Sequence, residues 1–273
     1  MNRLLSREES GSHWVETWES DSAALGCPKR VTVLAPGNRR PAPVVYLLHG
    51  FGGNRVTWLR QTHLLRHLQH RQLLVVLPES GRRWFVNDVR GHRYEDYLVA
   101  ELVPFVDRQY AAVVAGRPRA IGGFSMGGAA ALMQALRHPA LFSMVASHAG
   151  AFEAPARVGD PYALLRSDAE TAIPSTAAHE RVWGPPGSAV RREYDLDGLL
   201  ASVDPQLAVY ADIGVDDYPR MLAMNRRTAA KLAALDVHSE YHERPGAHDL
   251  GFLNRALPHS LDFVAQRSRA LTR

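Results

Sequence analysis

Ser125 stands in Gly123-Phe124-Ser125-Met126-Gly127, a Gly-x-Ser-x-Gly spacing at the point where an apolar run gives way to an alanine-rich one. Between a strand and a helix, that spacing exposes a hydroxyl on a tight, strained turn. The competing reading is a Gly/Ala-rich packing turn with an idle serine. "RAIGGF" before the serine and "GGAAALMQALRHP" after it favour the nucleophile, because one reads as a strand and the other as a helix. A hydroxyl of ordinary pKa needs a base, and the base needs an acid to orient it. His248 in "ERPGAHDLGFL" follows the last strand candidate on a Gly-containing loop and is the expected base. His138, His148, His179, His238, His242 and His259 also follow the serine, but at helix ends, within strands or in an irregular region, and are expected to be structural or exposed. For the acid, Asp212, Asp216 and Asp217 compete in "DIGVDDYP". Asp217, beyond the Gly214 turn, is favoured over Asp216, with Asp212 third.

Attack on a carbonyl builds negative charge on oxygen, which two fixed donors must meet. The amide of Met126, at the helix N-terminus directly after the serine, is one expected donor. The glycine-rich "LLHGFGGN" (47–54) offers the other, assigned to the Phe51 amide. His49 in that segment is expected to support the loop by hydrogen bonding rather than to act as a second base. Trp58, Trp84, Phe85 and Asp88, on loops after early strands, are expected pocket residues, about half of the aromatics being ordinary packing residues. Glu95 and Asp96 read equally well as acids of a first helical turn.

These groups need a scaffold. Short apolar runs at 30–35, 43–50, 72–78, 119–124, 142–150, 206–213 and 237–243 alternate with helix-period segments near 56–69, 95–109, 127–137, 219–235 and 252–267. The alternation predicts an α/β fold, a mostly parallel sheet flanked by helices. Pro104 is expected to kink or break the helix over 94–110. Residues 1–29 read as an N-terminal extension, and 151–205, rich in proline and without periodicity, as an irregular insertion or lid. One domain is expected for 273 residues.

Composition narrows the classes. Net charge is +4, only two of the 32 basic residues are lysine (Lys29 and Lys231), and the arginines are scattered, so a nucleic-acid surface is unsupported. Cys27 is the only cysteine, which rules out an intrachain disulfide and a cysteine zinc cage. The N-terminus lacks a signal-peptide core, and no apolar run of about 18 residues occurs. A cytoplasmic protein without a membrane partner is expected.

With these elements placed, the chain resembles the α/β-hydrolase superfamily and, within it, the esterase group that includes esterase D, tributyrin esterases and feruloyl or acetylxylan esterases. The resemblance runs from about residue 30 to 267 and is carried by "LLHGFGGNRVTWL", "RYEDYLVAELVPFVDRQY", "GGFSMGGAAAL", "DIGVDDYP" and "RPGAHDLGFL". It implies an acid in a Gly-x-x-Asp pattern, which maps to Asp217, and an oxyanion donor after the His-Gly pair, which maps to Phe51. Relatives acting on S-formylglutathione usually carry Ser-Gly and a nearby cysteine in the early loop; this chain has His49-Gly50 and no cysteine there. The implied activity is serine carboxylesterase chemistry on a short-chain or aryl acyl ester, a small molecule, without metal or organic cofactor. An acyltransferase or thioesterase with the same triad is the alternative, a non-catalytic binding protein a further one. Self-assembling relatives make a homo-oligomer an open expectation.

Overall fold

The computed structural model describes residues 2–38, 40–111, 118–161 and 174–271. Its strands are β1 (Asn2–Ser10), β2 (His13–Ser22), β3 (Cys27–Pro36), β4 (Val44–Leu48), β5 (Leu74–Leu77), β6 (Arg119–Phe124), β7 (Met144–His148), β8 (Ala208–Gly214) and β9 (His238–Arg244). The helices are α1 (Thr57–Gln61), α2 (Leu64–Leu68), α3 (Tyr94–Asp96), α4 (Val103–Gln109), α5 (Met126–Arg137), α6 (Thr176–Trp183), α7 (Ala189–Glu193), α8 (Leu196–Leu200), α9 (Pro219–Ala233) and α10 (Leu250–Leu271). The strands form one sheet in the order β1-β2-β3-β5-β4-β6-β7-β8-β9. From β5 to β9 every pairing is parallel; β1, β2 and β3 pair antiparallel at one side. This is the α/β-hydrolase fold.

Apolar continuity in the central strands reflects burial on both faces. In β4, Val44, Tyr46 and Leu48 enter one core while Val45 and Leu47 enter the other. The first core is closed by α5, α9 and the 97–106 segment, the second by α1, α2 and α10. Ala129, Ala130 and Ala131 are fully buried, so α5 can lie close to the sheet and hold the turn before it.

Pro104 leaves its helix unbroken in a specific way. Tyr97–Leu102 is a π-helical turn, with the Val103 amide donating to the Leu98 carbonyl, and Pro104 falls in the first turn of α4. There its missing N–H matters little. The segment expected as one helix over 56–69 is two, α1 and α2, divided at Thr62 and His63.

Two expectations change. The stretch expected as an N-terminal extension is part of the sheet from residue 2 onward: β1, β2 and the start of β3 extend it, with β2 and β3 in continuous register from His13↔Pro36 to Ser22↔Cys27. Trp18 fastens β2 by an edge contact to Phe105 and an indole bond of 2.9 Å to Tyr110 Oη. Within 151–205, residues 162–173 lie outside the described ones, and the remainder holds α6, α7 and α8. Ser175, Ser188 and Asp195 cap them through their side chains, each bonding the amide three residues on. No helix among the described residues is long and apolar enough to cross a membrane.

Candidate active site

Ser125 follows β6 and precedes α5 with φ 56° and ψ −114°, a left-handed backbone that an L-residue adopts only under restraint. The restraints are explicit. Its amide donates to the His148 carbonyl at 2.9 Å, and its own carbonyl accepts from Ala129 and Ala151, each at 3.1 Å. Gly123 and Gly127 permit the turn: a Cβ on Gly123 would lie 2.5 Å from the Gly127 carbonyl carbon, and one on Gly127 would lie 2.2 Å from the Leu48 oxygen. The obstacle at Gly127 is thus the end of β4, not only the facing strand.

The Ser125 hydroxyl lies 2.9 Å from His248 Nε2, and His248 Nδ1 lies 2.8 Å from Asp217 Oδ2. A carboxylate oxygen only accepts, so Nδ1 carries the hydrogen and Nε2 presents its lone pair to the serine hydroxyl. Asp217 is held as well: its side chain is fully buried and Oδ1 accepts the Tyr218 amide at 2.7 Å. The loops bearing acid and base pack backbone against backbone. The amides of Val215 and Asp216 donate to the carbonyls of Arg244 and Gly246, and a Cβ on Gly214 would stand 2.0 Å from the Gly246 oxygen. Asp216 points to solvent, and Asp212 is buried against His148.

The Met126 amide, first in α5, has no intrahelical acceptor. The Phe51 amide belongs to a loop whose next two amides are occupied, Gly52 by the Gly81 carbonyl and Gly53 by that of Gly50. His49 clamps that loop. Its Nδ1–H donates to the Gly50 carbonyl at 2.7 Å, and Nε2 accepts the Ser80 amide at 3.0 Å. Burial depresses its pKa to about 4, so the ring stays neutral in this role.

Beside Ser125 opens a cavity of about 490 Å³, walled by Phe51, Trp84, Phe124, Tyr218, Met221 and Met224. Trp84 thus lines it as expected of its loop. The other three pocket expectations lie elsewhere. Trp58 is buried in the core on the opposite face of the sheet, Phe85 is buried against the His49 ring, and Asp88 ties its own loop together. Asp88 pairs with Arg83 at 3.1 Å and His92 at 3.0 Å and accepts the Arg90 and His92 amides. Trp84 and Phe85 both have positive φ, which turns one side chain to the cavity and the other to the core. His179 from α6 also lines the cavity; burial and then the Arg157 charge lower its pKa to about 3, keeping it neutral. At the rim, Glu153 pairs with Arg220 at 2.8 Å and with Arg227.

Glu95, in the first turn of α3 as one reading had it, is also a buried fastening. It bonds Arg137, His138 and Tyr194. Burial alone would raise its pKa, but bonds from His138, Arg137 and Tyr194 outweigh it and hold the carboxyl near 2. Among the described residues no three His, Cys, Asp or Glu side chains gather as a metal site.

The family model of the Esterase family, "Putative esterase", matches residues 22–263. The chain belongs to that family. Membership places it among the carboxylic ester hydrolases. An acetyl esterase of Caldicellulosiruptor saccharolyticus is 24% identical over 82% of this chain and 84% of its own length. An esterase of Mycobacterium tuberculosis is 26% identical over 97% of this chain, which spans 64% of that relative's length. The fold is also that of the fluorophosphonate-binding serine hydrolase F of Staphylococcus aureus, with a TM-score of 0.77 at 21% identity, covering 93% of this chain and 99% of the other.

Tyr218, Met221, Met224 and His179 were not legible as pocket residues. Met221 and Met224 sit three apart on α9 and read as ordinary core spacing. A signal existed for His179, since "STAAHE" begins with a capping serine.

Proposed function

We propose that this esterase hydrolyses short-chain or aryl acyl esters through Ser125, His248 and Asp217. The observation that carries the reading is the continuous chain Ser125 Oγ to His248 Nε2 to Asp217 at 2.9 and 2.8 Å, opening on an apolar cavity. His248 takes the hydroxyl proton as Oγ bonds to the ester carbonyl carbon. The oxyanion is met by the Phe51 and Met126 amides, each such donor contributing about 3–4 kcal/mol to the transition state. His248 then gives the proton to the departing alkoxide, leaving an acyl group on Ser125. In the second half a water loses its proton to His248 and attacks the acyl carbon, and Ser125 leaves with that proton as acid is released.

Asp217 fixes the ring tautomer and balances the imidazolium formed in both halves. Phe51, Trp84 and Phe124 give the acyl or aryl group an apolar wall, and the rim charges of Glu153 and Arg220 are paired with each other. The test is turnover of p-nitrophenyl acetate and butyrate, with intact-mass detection of an acyl adduct on Ser125. Ser125→Ala is expected to abolish turnover and adduct; turnover equal to the wild type would overturn the proposal.

A further inference from the structure

A second chain of serine, histidine and aspartate lies behind the first and has no access to the cavity. His148 Nδ1 is 2.7 Å from Asp212 Oδ1, and His148 Nε2 is 2.9 Å from Ser260 Oγ. Asp212 Oδ2 accepts the Tyr210 hydroxyl at 2.7 Å, with Arg244 Nε 3.8 Å away. Ser260 also bonds the Leu257 carbonyl at 3.0 Å. His148 and Asp212 are wholly buried and Ser260 is 1% exposed, so none of them can meet a substrate.

The cluster sits where three parts of the active site join. His148 ends β7, and its carbonyl accepts the Ser125 amide. Asp212 lies in β8, two residues before the Gly214 turn that leads to Asp217. Its carbonyl accepts the amide of Ala149, which is held at φ 46°. Ser260 belongs to α10, which begins two residues after His248. One buried side-chain network therefore joins the backbones that carry nucleophile, acid and base. Burying an imidazole against a carboxylate is a poor way to gain stability, since apolar side chains of like size commonly serve as well or better. What the polar pair adds is direction: its bonds have fixed lengths and angles, and they fix one strand end relative to the other.

We propose that His148, Asp212 and Ser260 are positioning residues that set the register of Ser125, Asp217 and His248. The proposal rests on the triad reading given above. Misplacing a catalytic group by about 1 Å costs on the order of a hundredfold in rate. The pair therefore acts on kcat through geometry and leaves the cavity, and with it substrate affinity, nearly unchanged.

The test compares Ser260→Ala, Asp212→Asn and the double variant His148→Leu/Asp212→Leu with Val264→Ala, which cuts into the core one turn beyond Ser260 on the same face of α10 without touching the polar network. Readouts are kcat and KM on p-nitrophenyl butyrate, the Tm, and the rate at which an alkyl fluorophosphonate labels Ser125. The positioning variants are expected to lose roughly tenfold to a hundredfold in kcat with KM within about threefold. The double variant regains Tm relative to Asp212→Asn without regaining kcat, whereas Val264→Ala lowers Tm and keeps kcat. A kcat that returns with Tm, or one that falls equally in Val264→Ala, overturns the proposal. Should the wild type hydrolyse no ester, the esterase reading fails by itself. The labelling rate then decides: slower labelling in the positioning variants alone supports the proposal, and an unchanged rate overturns it.

Discussion

Gly127→Ala places one methyl group against the machinery without touching any group that takes part in the reaction. Its Cβ would stand 2.2 Å from the Leu48 oxygen, 2.6 Å from the Leu48 carbonyl carbon and 2.7 Å from the His49 oxygen, all backbone atoms. Ordinary contact begins at 3.4 Å. Either α5, which presents the Met126 amide, or the segment leading to Phe51 must therefore retreat by roughly 1 Å, a displacement that costs on the order of a hundredfold in rate. Loss of one oxyanion donor costs about 10²–10³ in kcat, so the two routes to the magnitude agree. The assay is the initial rate on p-nitrophenyl butyrate, read beside the Tm. Gly198→Ala in α8 is the control, because its Cβ would meet nothing closer than Asp195 Oδ2 at 3.5 Å. A folded Gly127→Ala protein with kcat/KM within about threefold of wild type would refute the reasoning, since a 1 Å shift of either donor cannot be so cheap.

Asp217→Asn is expected to lower kcat by roughly ten-thousandfold, through the wrong histidine tautomer, while Asp216→Asn, on an exposed residue, changes it by less than about twofold. The reverse ranking in steady-state kinetics would reassign the acid. Glu95→Gln tests the buried fastening on α5. With its folded pKa near 2 against an ordinary 4.5, the carboxylate contributes about 3 kcal/mol that is fully present above pH 4.5 and is lost as pH falls through about 2. The urea-measured deficit of the variant should accordingly be about 3 kcal/mol at pH 7 and less than half of that at pH 3; equal deficits at both would count against the assignment. Trp84→Ala removes a cavity wall that is also core, and should cost about 3–5 kcal/mol of stability and raise KM for aryl esters more than for acetyl esters. A uniform KM change across both ester types would place Trp84 outside the substrate's reach.

The sheet and the Ser125 turn were legible because both rest on strong local signals, apolar runs for the strands and glycines at fixed offsets for the turn. The loop positions of Asp217 and His248 followed from strand order, and the structure brings both within hydrogen-bond distance of their partners. What escaped depends on contacts distant in sequence. β1 is so exposed that only its turn residues separate it from a solvated segment, and Leu5 interrupts its register as a bulge. Trp58, Trp84 and Phe85 look alike as aromatics on early loops. Only the left-handed backbone at 84 and 85, and the face of the sheet on which α1 packs, sort cavity wall from core. The partner of Asp212 was equally hidden: a histidine 64 residues upstream claims it, while one 31 residues downstream claims Asp217.

The contact between Gly214 and Gly246 bears on how this scaffold can be altered. With the two turns bonded through Val215 and Asp216 and no room for a side chain between them, they behave as one exchangeable cassette. A graft that lengthens or recodes the turn after β8 must bring a matching turn after β9 from the same donor. Directed diversification of this enzyme is therefore better aimed at α6, whose His179 lines the cavity without sharing that seam.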